Sequence, residues 1–370
     1  MSRLDESRRI VLKIGSALLT DESGALRHNW LRGLGKDISK LRASGKQVIV
    51  VSSGAISLGR AALALPPGSL KLDEAQAAAA VGQIELARAY RDTLQTLDIA
   101  AAQLLLTWED TEIRRRYLNA RNTVLTLLEL GVVPIINEND TVATAEIRYG
   151  DNDRLAARVA SMVSADCLIL LSNIDGMYTA PPSLNANAKH LPEISEITDE
   201  MANMAGDAGK YGTGGMVTKL EAARISIQSG CHMAIIDGRP DLPISALEQG
   251  AKSTWFIAGT SPRAARKRWI AGILKPNGRI LIDDGAHKAL VAEKSLLPAG
   301  ITDVIGQFQR GDAVIICDQN SRELARGLTA YGDGDARKIA GRKSREIEAI
   351  LGYHGRTSLV HRDDLVLTCR

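Results

Sequence analysis

Four short stretches of this 370-residue chain combine side chains that hold phosphate, carboxylate or ammonium groups. The first is Lys13-Ile14-Gly15-Ser16, where a glycine lets the backbone approach a phosphate closely and a lysine adds a point charge. The second is Ser52-Ser53-Gly54-Ala55, a run of small residues suited to an anion at a helix N-terminus. The third comes in two pieces, Asn137-Glu138-Asn139-Asp140 and Gly150-Asp151-Asn152-Asp153. Asn and Asp cap helices and make turns, but this many suit a ligand with an ammonium group and several hydrogen-bonding atoms. The fourth runs from Tyr211 through Gly212, Thr213, Gly214, Gly215, Met216, Val217 and Thr218 to Lys219. The Walker spacing is absent. Its physics is related: glycines free the backbone to wrap phosphate oxygens at a helix N-terminus, and Lys219 supplies charge. Taken singly, each stretch also reads as an ordinary turn, cap or surface loop.

The elements that must position these stretches alternate in type. Apolar runs at Ile10 to Ile14, Gln47 to Val51, Ile99 to Leu106, Val132 to Ile136, Cys167 to Leu171 and His232 to Ile236 read as strands. Helical patterns fall between them: from Asn29 to a stop at Ser44-Gly45, Glu74 to Leu97, Trp108 to Leu130, Arg154 to Val163 and Met216 to Ser229. Strands that are apolar throughout, alternating with helices, imply a mostly parallel sheet covered on both faces. In such sheets ligands sit beyond the carboxyl ends of the strands, which is where all four stretches fall.

The pattern changes near residue 260. Ser261 to Ile282 is basic and holds no acidic residue before it turns into short strands, Arg279 to Ile282, Ala313 to Cys317 and Leu365 to Thr368. The expected division is therefore a large α/β part over 1–260, a basic linker over 261–277 and a small β-rich part over 278–370.

Bulk composition narrows the class. Hydrophobic residues make up 45% and charged residues 24%, the balance of a soluble globular chain. With aromatics at 4%, Ala, Val, Ile and Leu must fill the cores. A net charge of +3 gives no case for nucleic acid or an anionic membrane as the main partner. Cys167, Cys231, Cys317 and Cys369 form no CxxC pair, which argues against a zinc site or a disulfide framework. The charged N-terminus runs straight into a strand, so no secretory signal is expected, and a cytoplasmic location is.

VLKIGSALLT (Val11–Thr20), VSSGAI (Val51–Ile56), PIINENDTV (Pro134–Val142), GDND (Gly150–Asp153) and GTGGMVTK (Gly212–Lys219), in this order, resemble the amino acid kinase family. The resemblance covers roughly residues 8–260. Further on, DDGAHKAL (Asp283–Leu290), SLLPAGI (Ser295–Ile301) and FQRGDAVIICD (Phe308–Asp318) look like a PUA domain. The implied fold is a three-layer α/β/α sandwich with a mostly parallel central sheet, followed by a small β-rich PUA-like domain. Two positions depart from the family's habit: Ala17 where a second Ser is usual, and Asn173 where Asp is usual.

The resemblance implies ATP-dependent phosphorylation of a carboxylate, and pairing PIINENDTV with GDND points to the γ-carboxylate of free glutamate. By that resemblance Lys13 and Lys219 hold the phosphoryl group and the ATP phosphates, while Asp153 orients both lysines. Lys13, Gly15, Ser16, Ser172, Asn173, Thr213, Gly214, Gly215, Met216, Val217, Thr218 and Lys219 form the nucleotide site. Ser53, Gly54, Ala55, Asp140 and Asn152 bind glutamate, with Asp140 as partner of the α-ammonium. Mg²⁺ enters on the ATP phosphates, without a protein metal site. The family also implies feedback inhibition by proline, a homo-oligomer (dimer or tetramer) and handover of a labile product to a reductase. The competing readings are a sister kinase acting on N-acetylglutamate, aspartate or carbamate, and RNA binding through the PUA-like part. Basic and acidic residues nearly balance over 278–370, which weighs against the latter.

Overall fold

The computed structural model describes residues 3–368 except 22, 67, 144–151, 181, 183, 184, 186, 199, 200, 202–214, 273 and 274. The chain divides into two compact units, Met1–Pro262 and Arg263–Arg370.

In the first unit, β1 (Arg9–Ile14) is followed by helix α1 (His28–Ala43), β2 (Gln47–Ser52), α2 (Ala55–Ala62) and α3 (Leu72–Gln95). Then come β3 (Ala101–Leu106), α4 (Arg114–Glu129), β4 (Val133–Glu138), α5 (Asn152–Val163), β5 (Cys167–Ser172), α6 (Met216–Gln228), β6 (His232–Asp237) and β7 (Ser253–Phe256). The strands lie in the order β3-β4-β2-β1-β5-β6-β7, with the two-residue strand Glu193–Ile194 at the far edge. Pairing is parallel except between β6 and β7. From β1 the chain winds first to one side and returns to β5 on the other. A crevice where connections diverge in this way is where open α/β sheets bind ligands.

Alternation along β1 explains how the layers form. Ile10, Leu12 and Ile14 join one core with Trp30, Leu31, Leu34, Ile38 and Leu41 of α1 and Leu86, Tyr90 and Leu94 of α3. Val11 points the other way, into a second core with Val124 of α4, Leu155, Val159 and Ala160 of α5, and Leu220 and Ala223 of α6. Side chains two apart share a face, so Lys13 lies on the side of α5 and α6. Each fully buried Ile or Leu contributes about 1.5–3 kcal/mol. The result is an α/β/α sandwich around a mostly parallel sheet.

Helices α2 and α3 meet backbone to backbone. A Cβ on Gly59 would lie 1.7 Å from the Ala78 carbonyl oxygen, and one on Gly82 would lie 1.9 Å from that of Ala55. No side chain larger than hydrogen fits at either position.

The helix expected over Trp108 to Leu130 is two helices, Trp108–Glu112 and α4. Asp110 accepts from the backbone N–H and hydroxyl of Thr107, both at 2.7 Å, and so starts the first. The chain then goes extended at Ile113 (ψ 114), a β-branched residue that gives up helix readily. Arg116 ties the bend by reaching Glu109 at 2.6 Å.

In the second unit, α7 (Pro262–Ala271) precedes β8 (Gly278–Ile282), α8 (Asp284–Val291), β9 (Ile301–Gly306), β10 (Ala313–Cys317), β11 (Glu323–Thr329), α9 (Asp333–Ile339) and β12 (Val360–Leu367). The strands form a separate sheet, β9-β8-β10-β11-β12, antiparallel apart from β8 with β10. The basic stretch read as a linker thus carries a helix. Within this unit Arg266 of α7 pairs with Asp364 of β12 at 2.7 Å, both almost enclosed, and Ile270 packs on Ala313 and Leu328.

Among the described residues no helix is long and apolar enough to cross a membrane. Cys167 is fully buried, which pushes its thiol up to about 12 and leaves it inert.

Candidate functional site

The carboxyl ends of the central strands finish level with one another, since Ile14 pairs with Ser52 and Leu171, and Ser172 with Asp237. The loops that follow are stitched together by backbone bonds. Ser53 N–H donates to the Ile14 carbonyl at 3.1 Å and Gly238 N–H to that of Ser172 at 2.7 Å. Trp30, buried in α1, donates its indole N–H to the Gly238 carbonyl at 2.7 Å and anchors the loop from below. Gly54 has φ 111, a left-handed conformation that glycine enters without steric cost, so the chain turns sharply from β2 into α2.

Three charged groups from distant parts of the chain converge here. Lys13 Nζ lies 2.5 Å from Asp153 Oδ1, and Lys219 Nζ lies 3.0 Å from Asp153 Oδ2. Lys13 is the penultimate residue of β1, and Asp153 and Lys219 come from the first turns of α5 and α6. Packing of α5 against α6 through Leu155, Ala156, Ala222 and Ala223 brings the two helix N-termini side by side. Both helix dipoles then present positive ends to one place. Asp153 is 0% exposed and each lysine 6%. Burial alone would raise the Asp153 pKa, but attraction and hydrogen bonds from Lys13 and Lys219 outweigh it and hold the carboxyl below its ordinary range. The trio carries a net positive charge, which a phosphate or a carboxylate would balance.

Beside it runs a buried chain of amides. Asn152 Nδ2 is 2.8 Å from Ser53 Oγ, 2.8 Å from Asn137 Oδ1 and 3.1 Å from the Ser52 carbonyl. Asn137 Nδ2 donates to Gln83 Oε1 of α3 at 2.8 Å, and the Glu138 N–H donates to Asn137 Oδ1 at 2.9 Å. Ser52 Oγ donates to the Ser53 carbonyl at 3.1 Å and lies 2.9 Å from the Tyr90 hydroxyl.

The structure places the remaining candidates as follows. Gly15 caps the short helix Ser16–Leu19 and, like Ser16, lies at the end of β1. Ala17 is exposed beside it. Ser53 and Asn152 touch, as do Ser172 and Asn173, whose side chains are 3.3 Å apart. The Ala55 side chain is buried in the core at 2% exposure, so only its backbone at the start of α2 can face a ligand. Asp140 is half-buried in the turn after β4. Gly215 caps α6, and Thr218 donates to the Gly215 carbonyl at 2.8 Å. Met216 and Val217 are half-buried in its first turn. Gly150, Asp151, Tyr211, Gly212, Thr213 and Gly214 lie outside the described residues.

Gln83 and Tyr90 were not among the expected site residues, and Asn137 belonged to the third stretch without an assigned role. The available signal was an amide on a buried helical stripe: Gln83 stands one turn after Ala79 and one turn before Leu86, where a polar side chain must find a partner inside. Among the described residues no group of three His, Cys, Asp or Glu side chains could hold a metal ion.

Residues 8–237 match the amino acid kinase family and residues 278–351 match the PUA domain. The chain is 60% identical over 366 residues to glutamate 5-kinase 1 of Rhizobium meliloti, covering 99% of this chain and 93% of the relative. It is 58% identical over 369 residues to the glutamate 5-kinase of Paramagnetospirillum magneticum, covering 99% and 100%. Among solved structures, carbamate kinase from Giardia lamblia bound to AMP-PNP shares the fold of the first unit, with a TM-score of 0.50 at 18% identity. It covers 68% of this chain and 99% of that one.

Proposed function

The chain belongs to the amino acid kinase family, and from that premise we propose that it transfers the γ-phosphoryl group of ATP to the γ-carboxylate of L-glutamate. The product is L-glutamyl 5-phosphate, the first intermediate of proline biosynthesis. The observation that carries this reading is the pair of buried ammonium groups, Lys13 and Lys219, both engaged by Asp153 at the carboxyl ends of the strands.

The chemistry asks little of a base. A γ-carboxylate with a pKa of about 4.3 is already ionised at neutral pH and is the nucleophile as it stands. The barrier lies in bringing that anion up to the terminal phosphate of ATP and in spreading charge over the transferred oxygens. Lys13 and Lys219 neutralise that charge, and Asp153, engaged by both, keeps their Nζ atoms in place and takes no proton. Backbone N–H groups at Gly15, Gly54 and the start of α6 add fixed dipoles. Ser16, Ser172, Asn173 and the segment from Thr213 to Lys219 hold the nucleotide. Ser53, Ala55, Asn152 and Asp140 hold glutamate, with the Asp140 carboxylate on the α-ammonium.

The donor set of two ammonium groups and several amides fits phosphate oxygens rather than a bare cation. Mg²⁺ would therefore be held through the ATP phosphates, and when bound it supplies further neutralisation of their charge.

The remaining proposals follow from the family. Proline is a feedback inhibitor, the enzyme is a cytoplasmic dimer or tetramer, and its labile acyl phosphate passes to a reductase. Catalysis resides in residues 1–260, with the PUA-like part over 278–370.

Incubation with ATP, Mg²⁺ and hydroxylamine tests the assignment, because hydroxylamine traps acyl phosphates as hydroxamates, which ferric iron turns into coloured complexes. Product is expected with glutamate and not with N-acetylglutamate, aspartate or carbamate. Product with N-acetylglutamate in preference to glutamate would overturn the substrate.

A further inference from the structure

We infer that Gln83, a residue of α3 that makes no contact with substrate in the scheme above, is a positioning residue that anchors Asn137 and through it holds the Asn152 amide in place against glutamate. The inference rests on the glutamate reading and adds a specificity device to it.

A backbone N–H can only donate, so the 2.9 Å contact from Glu138 requires an acceptor, and Asn137 must present Oδ1 to it. Its other end is then Nδ2, which needs an acceptor of its own and finds Gln83 Oε1 at 2.8 Å. Asn152, 2.8 Å from the same Asn137 Oδ1, must answer with Nδ2. That nitrogen also faces the Ser52 carbonyl at 3.1 Å, which can only accept, and Ser53 Oγ at 2.8 Å, which places Asn152 Oδ1 outside the network. The Glu138 N–H and the Ser52 carbonyl, 3.1 Å from Asn152 Nδ2, thus define the polarity of the two asparagines, and Gln83 Oε1 takes up the one inward amide end left over.

The oxygen end of Asn152 accepts hydrogen bonds, as a free α-ammonium group requires. An amide turned the other way would set its NH₂ against that group. Were Gln83 unable to accept, Asn137 Nδ2 would be buried without a partner, and the side chain that braces Asn152 would lose its anchor. Gln83, Asn137 and Asn152 are 9%, 3% and 7% exposed, so water gives little relief.

Gln83→Met preserves length and bulk while removing the acceptor. The expected result is a glutamate KM raised about tenfold, the scale for one buried polar group left unpaired, with the ATP KM unchanged and kcat retained. Gln83→Glu restores an acceptor and should return the glutamate KM toward the wild-type value. If Gln83→Met fails to fold, Gln83→Asn withdraws the acceptor by one methylene, and an elevated glutamate KM with normal ATP KM is again expected. Equal changes in both KM values, or a lowered melting temperature with both unchanged, would overturn the inference. The wild-type hydroxamate assay separates the two claims. No glutamyl hydroxamate from wild type defeats the functional reading, whereas active wild type with indifferent Gln83 variants defeats only the role of Gln83.

Discussion

Asp153→Asn keeps the shape of the side chain and removes a negative charge that two buried lysines share. In the native protein its oxygens lie 2.5 and 3.0 Å from the two ammonium nitrogens. At an effective dielectric of about 20, a unit charge pair at 4 Å is worth about 4 kcal/mol, which sets the scale of each contact before desolvation is counted. Removing one member of a buried ion pair destabilises by about 3–5 kcal/mol, because the partner is left uncompensated. At about 2–4 °C per kcal/mol for a unit of this size, the melting temperature should fall by roughly 6–20 °C. Turnover should fall by at least about a hundredfold, since the lysines then repel one another and leave the positions where they meet the phosphoryl oxygens. Differential scanning calorimetry and the hydroxamate assay measure both. The native carboxyl titrates below its ordinary range, so its stabilisation is complete above the unfolded value of about 3.9 and declines as pH falls below that. The wild-type and Asp153→Asn stability curves should therefore converge in acid and diverge toward neutrality. A variant with wild-type turnover and melting temperature would refute the electrostatic account.

Further tests address the neighbouring groups. Lys13→Ala and Lys219→Ala should each lower kcat about a hundredfold or more in steady-state assays, the scale for a lost electrostatic contact to the transition state. Asp140→Ala should raise the glutamate KM with little change in the ATP KM, and an unaltered glutamate KM would remove it from the substrate site. Gly82→Ala should lower the melting temperature markedly, because its methyl carbon would sit 1.9 Å from the Ala55 carbonyl oxygen and must push α2 off α3.

How far the sequence discloses this arrangement depends on the range of the interaction. Strand positions were legible because buried parallel strands are apolar throughout, and the alternation of β1 already assigns Lys13 to the face opposite Ile14. The break at Ile113 was not legible, since it turns on the Thr107–Asp110 cap and the Arg116–Glu109 pair rather than on any Gly or Pro. Strand β7 is not legible, because four residues, Ser253–Phe256, carry too little periodicity to stand out. Within the site, Lys13, Asp153 and Lys219 announce themselves by type, whereas the Gln83–Asn137–Asn152 chain depends on α3 packing behind β4. No local pattern encodes that. The glycines at 59 and 82 are similar: each reads as a weak point in a helix, and only the crossing of α2 over α3 shows why a hydrogen atom is all that fits.

The partners Lys13, Asp153 and Lys219 stand far apart along the chain, Asp153 and Lys219 alone by 66 positions. No fragment holding one helix and one strand can therefore assemble the charged trio. The first strand, a helix from the middle of the unit and a later helix must all have docked before two ammonium groups share a carboxylate. A half-folded chain exposes solvated lysines with no more phosphate affinity than any others on its surface. Such a chain neither spends nucleotide nor releases a reactive acyl phosphate, so the enzyme switches on only when its fold is complete.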